Sequence, residues 1–357
     1  MSSYDRITTA LNHEAGSRFP GLEYLVVNAT APVFAYAGGW ADIKNKRPIT
    51  LDTTMMAYSM TKTFTAVAVL QLVEQERVGL DDTIDRYVSF SVPGADRITI
   101  RQLLDHTSGL PNPIPLRWVH LAEEDAGFDE RRALTGVLEK HSKLAFPPGS
   151  KFAYSNLGYW ILGEIVGTVS GQPYSTYVTE HVFEALGLFA KDISFTITDP
   201  EHHARGYLAR ISLMNAIKGL VTDRKFWGGY DGQWFRFKDH FLNGPAFGGI
   251  VASATAVSRF LQDQLGTPSL LLGSHVKHLL ETQQRDAHNR LIPMTLGWHV
   301  GETATTRYFF KEGGGGGFHS EMRLYPSHGL GSVVMANDTE FRSTNFLNRH
   351  DPTFLSS

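Results

Sequence analysis

Residues 59–77 of this 357-residue chain read SMTKTFTAVAVLQLVEQER, and this stretch carries an informative pattern. Apolar residues after Lys62 occupy nearly every face of a helix, which is typical of a helix buried on all sides. We expect the helix to run from Ser59 to Arg77, with Gly79 ending it. Residues three apart are neighbours on a helix, so Ser59 and Lys62 should lie side by side.

A lysine at the start of a buried helix needs a task, because burying an ammonium group is costly. One task is to take a proton from Ser59, since desolvation lowers the pKa of a lysine towards a useful range. The Ser-x-x-Lys pattern alone is weak evidence, and Ser274–Lys277 repeats it. That second copy has polar neighbours, so we interpret it as part of an ordinary solvated helix.

The composition suits a globular enzyme with a sizeable core, because 42% of the residues are hydrophobic and 19% are charged. The net charge is −3 with both signs dispersed, which gives no reason to expect a nucleic-acid or acidic-membrane partner. The chain has no cysteine, which excludes disulfides, thiolate metal sites and a cysteine nucleophile.

The first residues, 1–16, show no basic segment followed by an apolar one, so no signal peptide is visible. The apolar runs are too short to span a bilayer. These two features favour a soluble, cytoplasmic protein that does not bind membranes. The sequence gives no indication of the oligomeric state.

Strand patterns cluster at both ends of the chain, and helical patterns lie between them. This arrangement predicts an α+β fold, in which one antiparallel sheet is built from both termini and covered by helices. We expect residues 1–80 and 290–345 to form the sheet region, and residues 81–289 to form an inserted, mostly helical region. The predicted strands are 21–27, 31–36, 297–300, 307–310, 318–325 and 331–336.

Residues 199–248 are rich in aromatic side chains, among them Trp227 and Trp234. Two interpretations stand equal. The segment is a lid whose tryptophans line a substrate pocket, since aromatic side chains offer a ligand a large contact area. Alternatively, it is an insertion that packs its aromatic side chains onto the domain.

Three short patterns follow one another along the chain. The first is Ser59-x-x-Lys62, the second is Tyr154-x-Asn156, and the third is Lys311-Glu312-Gly313. The second and third each occur once in the sequence. Each pattern alone is close to chance, but all three in this order, with the first on a buried helix and the third on a strand, form a strong signal.

With these three patterns the chain resembles the serine β-lactamase and penicillin-binding-protein superfamily. It looks most similar to class C β-lactamases, D-alanyl-D-alanine carboxypeptidases and family VIII carboxylesterases. The resemblance covers nearly the whole chain, and the segment from Lys311 to Phe318 has the spacing of the class C Lys-Thr-Gly strand and its glycine-rich turn. Further similar segments are 104–110, 147–149, 248–253 and 297–298.

The resemblance implies a role for each residue of the first two patterns. Ser59 is expected to be the nucleophile that forms an acyl-enzyme. Lys62 and Tyr154 are expected to share a proton and to act as general base and then as general acid. Asn156 is expected to hydrogen-bond either Lys62 or the substrate.

The third pattern is expected to bind and polarise the substrate. Lys311, together with Lys62, would stabilise a phenolate on Tyr154. The backbone N–H groups of Ser59 and Gly314 would form the oxyanion hole, and Gly313 would let a substrate approach the strand closely. The resemblance implies neither a cofactor nor a metal ion.

Glu312 departs from the family pattern, which has threonine at this position to help hold a substrate carboxylate. A glutamate there would repel such a carboxylate. We therefore expect a small-molecule carboxylic ester as the substrate, with β-lactam hydrolysis or D-alanyl-D-alanine cleavage as the alternatives. Side chains alternate along a strand, so the pattern also allows Glu312 to point away from the pocket.

Other classes of protein fit the sequence less well. An α/β-hydrolase would need a Gly-x-Ser-x-Gly elbow, which is missing from the sequence. A metallohydrolase would need a cluster of ligands, and the adjacent His202 and His203 do not share one face of an element. A non-catalytic binding module on the same fold remains as a competitor. His106 and Ser108 are expected to fix a loop through hydrogen bonds to the backbone.

Overall fold

The computed structural model describes residues 3–113, 118–303 and 305–355. The strands in these parts of the chain are β1 Gly21–Asn28, β2 Pro32–Asp42, β3 Arg47–Pro48, β4 Met55–Met56, β5 Val119–Leu121, β6 Ile193–Ser194, β7 Tyr207–Ala209, β8 Trp227–Asp231, β9 Trp234–Phe237, β10 His240–Leu242, β11 Val251–Ala252, β12 His299–Glu302, β13 Arg307–Gly315, β14 Phe318–Tyr325 and β15 Leu330–Ala336.

The α-helices lie mainly between the two groups of long strands. They are α1 Ser3–Glu14, α2 Thr61–Glu74, α3 Ile100–Leu104, α4 Glu130–Lys140, α5 Asn156–Ser170, α6 Tyr174–Val178, α7 Leu213–Val221, α8 Pro245–Gly248, α9 Ala254–Leu265, α10 Ser274–Glu281, α11 Ser343–His350 and α12 Pro352–Leu355.

One seven-stranded sheet organises the molecule, with the strand order β12-β13-β14-β15-β1-β2-β3. Every neighbouring pair in it is antiparallel. The N-terminal β1 pairs with the C-terminal β15, for example Leu25 with Val333. The predicted α+β fold, with one antiparallel sheet built from both termini, is therefore confirmed. The division into two regions at residues 81 and 289 stays a prediction.

The sheet is covered on both faces, which explains why β1 is buried along almost its whole length. Side chains alternate along a strand, so the two faces of β1 enter two different cores. Leu22 and Tyr24 pack with residues of α1, α11 and α12. Leu25 and Val27 belong to the larger core, which also contains α2, α5 and α9.

Helix α2 has the predicted all-round burial, because every residue from Thr61 to Leu72 is buried. Its threonines satisfy their hydroxyl groups on neighbouring backbone, as when Thr65 donates to the carbonyl of Ala246. The helix is shorter than predicted, because residues 58–60 form a 3₁₀ turn before it and the helix ends at Glu74. Ser59 therefore lies in the turn that leads into the helix.

Other boundaries also differ from the sequence prediction. Strand β2 continues through Gly38 and Gly39 as far as Asp42, because both glycines pair with β1. At the start of the region expected to be mostly helical, residues 81–87 form a single 3₁₀ turn, Ile84–Arg86. Local glycines and short polar patterns are thus overridden by pairing and packing with distant residues.

The aromatic segment, residues 199–248, departs from the mostly helical expectation for its region. It contributes β7, β9 and β8 to a three-stranded sheet, and β10 pairs with β5. Asp231-Gly232 opens the hairpin between β8 and β9, and Gly232 has a positive φ of 63°. Helix α7 lies between β7 and β8, and most of its residues are exposed to solvent.

Among the helices of the described residues, none is both long enough and apolar enough to cross a bilayer.

Candidate active site

The turn that carries Ser59 lies against strand β13 of the large sheet. Tyr58, just before the serine, has a positive φ of 45°, an unusual value for a residue with a side chain. Gly313 on β13 faces this turn closely: a Cβ atom at that position would lie 2.1 Å from the carbonyl oxygen of Ala57 and 3.1 Å from the amide nitrogen of Ser59. Glycine is therefore required for the strand to approach the serine.

The side-chain oxygen of Ser59 accepts two hydrogen bonds. Lys62 Nζ donates one over 3.0 Å, and the Tyr154 hydroxyl donates the other over 2.9 Å. Lys62 Nζ also donates to the carbonyl oxygen of Phe247 over 2.5 Å. The structure thus brings together the serine, lysine and tyrosine of the first two sequence patterns.

Tyr154 is held in place by the start of helix α5. Ser155 is the N-cap, whose side chain accepts from the backbone N–H of Gly158 over 3.2 Å. The backbone N–H of Ser155 donates to His106 Nδ1 over 3.2 Å. The ring of His106 then lies 4.4 Å from the ring of Tyr154. His106 therefore fixes the loop as predicted, and it also packs directly against the candidate base.

Lys311 of β13 approaches the same tyrosine from the sheet. Its side chain is fully buried, and Nζ lies 5.5 Å from the ring centroid of Tyr154 and 5.6 Å from that of Tyr159. No hydrogen-bond partner for this nitrogen is found within the described ranges. Lys311 therefore lies beside the tyrosine ring without a hydrogen bond to Ser59 in the described residues.

Burial changes the proton affinity of every group in this cluster. Desolvation, followed by the charge of Lys311, holds the pKa of Lys62 well below its usual value. Desolvation lowers the pKa of Lys311 to about 7. It also raises the pKa of Tyr154, in spite of the hydrogen bond to Ser59. Burial thus disfavours both a phenolate on Tyr154 and an ammonium on Lys62, and the assignment of the general base stays a prediction.

His299 also belongs to the cluster and was not identified from the sequence. Its ring stacks on Tyr154 with the centroids 5.9 Å apart, and on Phe310 with the centroids 5.1 Å apart. Burial, together with the charges of Lys311 and Lys62, lowers the pKa of His299 to about 2. The residue follows the Gly297-Trp298 pair, which was the only sequence signal near it.

Ser59 opens onto a cavity of about 300 Å³. Asn156 and Gly314 lie on its wall, as expected for residues that would contact a substrate. The hydrogen bonds of Lys62 within the described residues go to Ser59 and Phe247 and not to Asn156, whose contact with a substrate stays a prediction. The remaining lining residues are mostly apolar: Tyr58, Val119, Thr222, Phe226, Phe237, His240, Leu242, Phe247, Gly315 and Gly316.

The aromatic segment does form a wall of this cavity, but the expected tryptophans are not part of it. Trp234 is buried within β9, and Trp227 packs on Phe235 with the ring centroids 5.8 Å apart. Their neighbours Phe226 and Phe237 face the cavity instead. Which aromatic side chains face the cavity depends on how each short strand and turn is oriented. The composition of the segment does not determine that orientation.

Glu312 points away from Lys311, as strand alternation allows. Its carboxylate lies 2.7 Å from His319 Nε2 and accepts from the Ser343 hydroxyl over 3.4 Å. The hydrogen bond to His319 keeps the pKa of Glu312 below its usual value. Gly314 shares this face of β13, and a Cβ atom there would lie 3.0 Å from the His319 ring. Glu312 therefore belongs to the same strand as Gly313 and Gly314, but its side chain does not line the cavity.

Two of the weaker sequence interpretations are confirmed. Ser274 is exposed on α10, where Lys277 donates to the carbonyl of Gly266. The side chain of Ser108 accepts from the backbone N–H of Leu110 over 3.3 Å. Within the described parts of the chain, no cluster of histidine and carboxylate side chains could hold a metal ion.

Known proteins resemble this chain over most of its length. The family model described as Beta-lactamase matches residues 6–351. Protein flp of Staphylococcus aureus strain MW2 is 28% identical over 345 residues, which are 94% of this chain and 63% of that protein. Penicillin-binding protein 4* of Bacillus subtilis strain 168 is 28% identical over 181 residues, which are 49% of this chain and 39% of that protein. The chain thus spans less than two thirds of the length of these relatives.

Solved structures share the fold at lower identity. An octameric penicillin-binding protein homologue from Pyrococcus abyssi has a TM-score of 0.80 at 20% identity and covers 100% of this chain and 78% of its own. D-amino acid amidase from Ochrobactrum anthropi SV3 has a TM-score of 0.80 at 22% identity, with 99% and 97% covered. A class C β-lactamase has a TM-score of 0.76 at 18% identity, with 99% and 95% covered.

Proposed function

The chain belongs to the β-lactamase family, whose members are serine hydrolases, and from this premise we propose that it hydrolyses carboxylic esters through an acyl-enzyme formed on Ser59. The observation that carries the proposal is the pair of hydrogen bonds from Lys62 and Tyr154 to one serine oxygen, beside an apolar cavity. Buried serines in structural roles do not need a lysine with a lowered pKa as a neighbour.

The acylation step begins with Lys62 in its neutral form. The Ser59 oxygen attacks the ester carbonyl carbon, and its proton moves to Lys62 Nζ. The carbonyl oxygen becomes an oxyanion, which the backbone N–H groups of Ser59 and Gly314 would stabilise. The carbon–oxygen bond to the alcohol then breaks, and the alcohol leaves with a proton that Lys62 supplies through the hydroxyl of Tyr154.

Deacylation repeats these proton transfers with water in place of serine. Water attacks the acyl carbonyl carbon, its proton passes to the same lysine–tyrosine pair, and Ser59 regains a proton as the carboxylic acid is released. Lys62 and Lys311 are fully buried, so the charges around the pair are screened less than they would be in water.

The cavity supports an ester with an apolar acyl or alcohol group. Its wall includes Phe226, Phe237, Leu242 and Phe247, and no charged side chain contributes to it within the described ranges. The one cation of the third sequence pattern, Lys311, is fully buried, so a substrate carboxylate could not touch it without moving other groups. Both features favour an uncharged substrate over a peptide or a β-lactam that carries a carboxylate.

A second candidate is the hydrolysis of a β-lactam or a D-alanyl-D-alanine peptide. The observation in its favour is that Lys311 Nζ lacks a hydrogen-bond partner within the described residues, as expected of a cation that awaits an anionic group. The third candidate, a non-catalytic binding module, is disfavoured by the intact set of Ser59, Lys62 and Tyr154.

The proposal is tested by measuring kcat/KM side by side for short p-nitrophenyl esters, a chromogenic cephalosporin and a D-alanyl-D-alanine peptide. We expect the best ester to exceed the other two substrates. A cephalosporin or peptide value that equals or exceeds the best ester would contradict the esterase assignment and favour the second candidate.

A fluorophosphonate probe followed by mass spectrometry tests the nucleophile itself. We expect the probe to label Ser59, and we expect Ser59→Ala to remove both labelling and turnover while the fold is kept. Ser274→Ala is the matched control, because it removes the serine of the other Ser-x-x-Lys pattern and should change neither. Folded wild-type protein that takes up no label would favour the binding module.

A further inference from the structure

Helix α7 presents large apolar side chains to solvent and the polar side chain of Asn215 to the protein. Asn215 is the buried residue of this helix, and its side-chain nitrogen donates to the carbonyl of Arg210 over 2.6 Å. On the opposite face Leu213, Ile217 and Leu220 are 77%, 36% and 85% exposed. These three residues are spaced by four and three, so they form one continuous stripe.

Two further apolar residues extend the exposed surface. Ile211, just before the helix, is 97% exposed, and Met214, on the edge of the stripe, is 40% exposed. Scattered exposed leucines are normal on soluble proteins, but five large apolar side chains within ten consecutive residues form a contiguous patch. We call residues 211–220 the apolar helix surface.

The charge around this surface is opposite to that of the whole chain. Residues 210–225 contain four basic residues and one acidic residue, and Lys225 is paired with Glu124 over 2.8 Å, which leaves a local charge of +2, whereas the chain carries −3. The acidic residue, Asp223, caps the 3₁₀ turn that follows the helix. Arg210 and Lys218 lie over the ring of Tyr230 and remain close to the apolar helix surface.

We propose that the apolar helix surface docks this protein onto an anionic lipid membrane. An exposed apolar stripe flanked by basic side chains is the pattern of a helix that lies in the plane of a membrane interface. The apolar side chains enter the boundary between headgroups and acyl chains, and the exposed Arg210 and Arg224 meet the negative headgroups. The dispersed charge of the whole sequence conceals this local arrangement.

A second copy of the chain is the competing occupant of the surface. In a two-fold symmetric dimer the same patch faces itself, so the basic groups of one copy would lie opposite those of the other. Like charges brought together at the rim of an interface oppose association. An anionic lipid surface meets the same patch with the complementary charge, and this complementarity decides between the two occupants.

Docking through this surface places the lipid beside the cavity that Ser59 opens onto. Thr222 follows the last residue of α7, and both Thr222 and Phe226 line the cavity. An ester drawn from the membrane would reach the apolar wall without crossing bulk water. This consequence rests on the proposed function, whereas docking itself does not depend on any reaction.

The test is co-sedimentation of the full chain with vesicles, without any substrate, so that a failure of docking is separate from a failure of the esterase assignment. We expect the protein to bind vesicles made of equal parts phosphatidylcholine and phosphatidylglycerol at low salt. Binding should be at least about tenfold weaker on vesicles of phosphatidylcholine alone, and it should fall as salt is added.

The double variant L213S/L220S should bind the anionic vesicles at least about tenfold less than the wild type. The matched control is L270S/L291S, which also replaces two exposed leucines, 73% and 56% exposed, on other parts of the surface. The control should bind like the wild type. Far-UV circular dichroism and the melting temperature show that both variants fold, which is expected because all four side chains are exposed.

Three results would overturn the proposal. The first is that the wild type does not bind anionic vesicles at low salt. The second is that L213S/L220S and L270S/L291S bind equally well. The third is that sedimentation velocity shows a wild-type dimer which L213S/L220S dissociates, because the surface would then be covered by a second copy of the chain.

Discussion

The Nζ atom of Lys311 lies 5.5 Å from the centroid of the Tyr154 ring, and it has no hydrogen-bond partner in the described parts of the chain. Lys62 Nζ lies 5.0 Å from the centroid of the same ring. Two lysines thus flank one tyrosine, and the charge of Lys311 disfavours the charged form of Lys62. This arrangement sets the proton affinity of the candidate base.

Lys311→Met is expected to shift the pH profile of the enzyme. The base must be unprotonated to act, so kcat/KM falls as the pH drops below the pKa of Lys62. Removal of the positive charge at residue 311 raises the pKa of Lys62, because this charge is the second cause of its low value. The acidic limb of the profile should therefore move to higher pH. An unmoved limb would show that the two lysines are not coupled.

Lys311→Met should also stabilise the fold. The pKa of Lys311 is about 7 in the folded protein and close to its ordinary value in the unfolded chain. The unfolded state therefore binds more protons between these two values, and the stability of the wild type rises with pH across this window. The variant lacks the buried ammonium, so its melting temperature should exceed that of the wild type by at least about 2 °C below pH ~7.

The gain from Lys311→Met should shrink as the pH approaches the ordinary lysine value, because the wild-type side chain is then neutral in both states. Lys277→Met is the control, since that lysine donates to a backbone carbonyl near the surface. Calorimetry over a series of pH values provides the measurement. A gain that is independent of pH would point to better packing and not to the removal of a charge.

Lys62→Met and Tyr154→Phe are each expected to slow acylation by about 10²–10⁴-fold. Both residues hydrogen-bond the same serine oxygen, so they act as one unit and their effects should not multiply. The double variant should be little slower than the worse single variant. Single-turnover kinetics with a p-nitrophenyl ester measure this step, and multiplied losses would show that the two residues act separately.

Phe226→Leu is expected to change the preference among acyl chain lengths, because Phe226 lies on the cavity wall. Trp227→Leu is the control at the next residue, whose ring packs on Phe235 outside the cavity. The ratio of kcat/KM for hexanoyl and acetyl esters should change for the first variant only. Equal changes in both variants would mean that the segment affects activity through its stability.

Glu312→Thr is expected to raise β-lactam turnover relative to ester turnover. The variant removes a negative charge from the face of β13 that Gly314 shares, although Glu312 does not line the cavity. Glu312 is partly exposed and bonded to His319, so the change should be modest, about tenfold or less. Parallel assays with a chromogenic cephalosporin and a p-nitrophenyl ester provide the ratio, which should stay constant if His319 already neutralises the glutamate.

Glu312→Thr should also change how the stability of the protein depends on pH. Burial alone would lower the pKa of His319, but the hydrogen bond to Glu312 and its charge raise it above the ordinary value. A raised histidine pKa adds stability at low pH, which is lost as the pH rises through the folded value. The variant should therefore lose stability mainly below neutral pH, and an equal loss at alkaline pH would point to packing instead.

The sequence by itself determined the sheet, the buried helix and the residues around Ser59. These features depend on local patterns: period-two strands at both ends, a helix with apolar residues on nearly every face, and three short motifs that each span only a few residues. Residues three positions apart are neighbours on any helical turn, so the spacing alone places Ser59 beside Lys62.

Only the tertiary structure decided what surrounds these residues. His299 and Lys311 meet Tyr154 through contacts between residues far apart in the sequence, and their lowered pKa values arise from burial that no local pattern reports. The same holds for the cavity wall, where Phe226, at the end of a 3₁₀ turn, lines the cavity and Trp227, at the start of β8, does not. The sequence tells which side chains are present, but packing determines where they point. Packing also sets the burial of each group and its distance from other charges, and these shift its pKa.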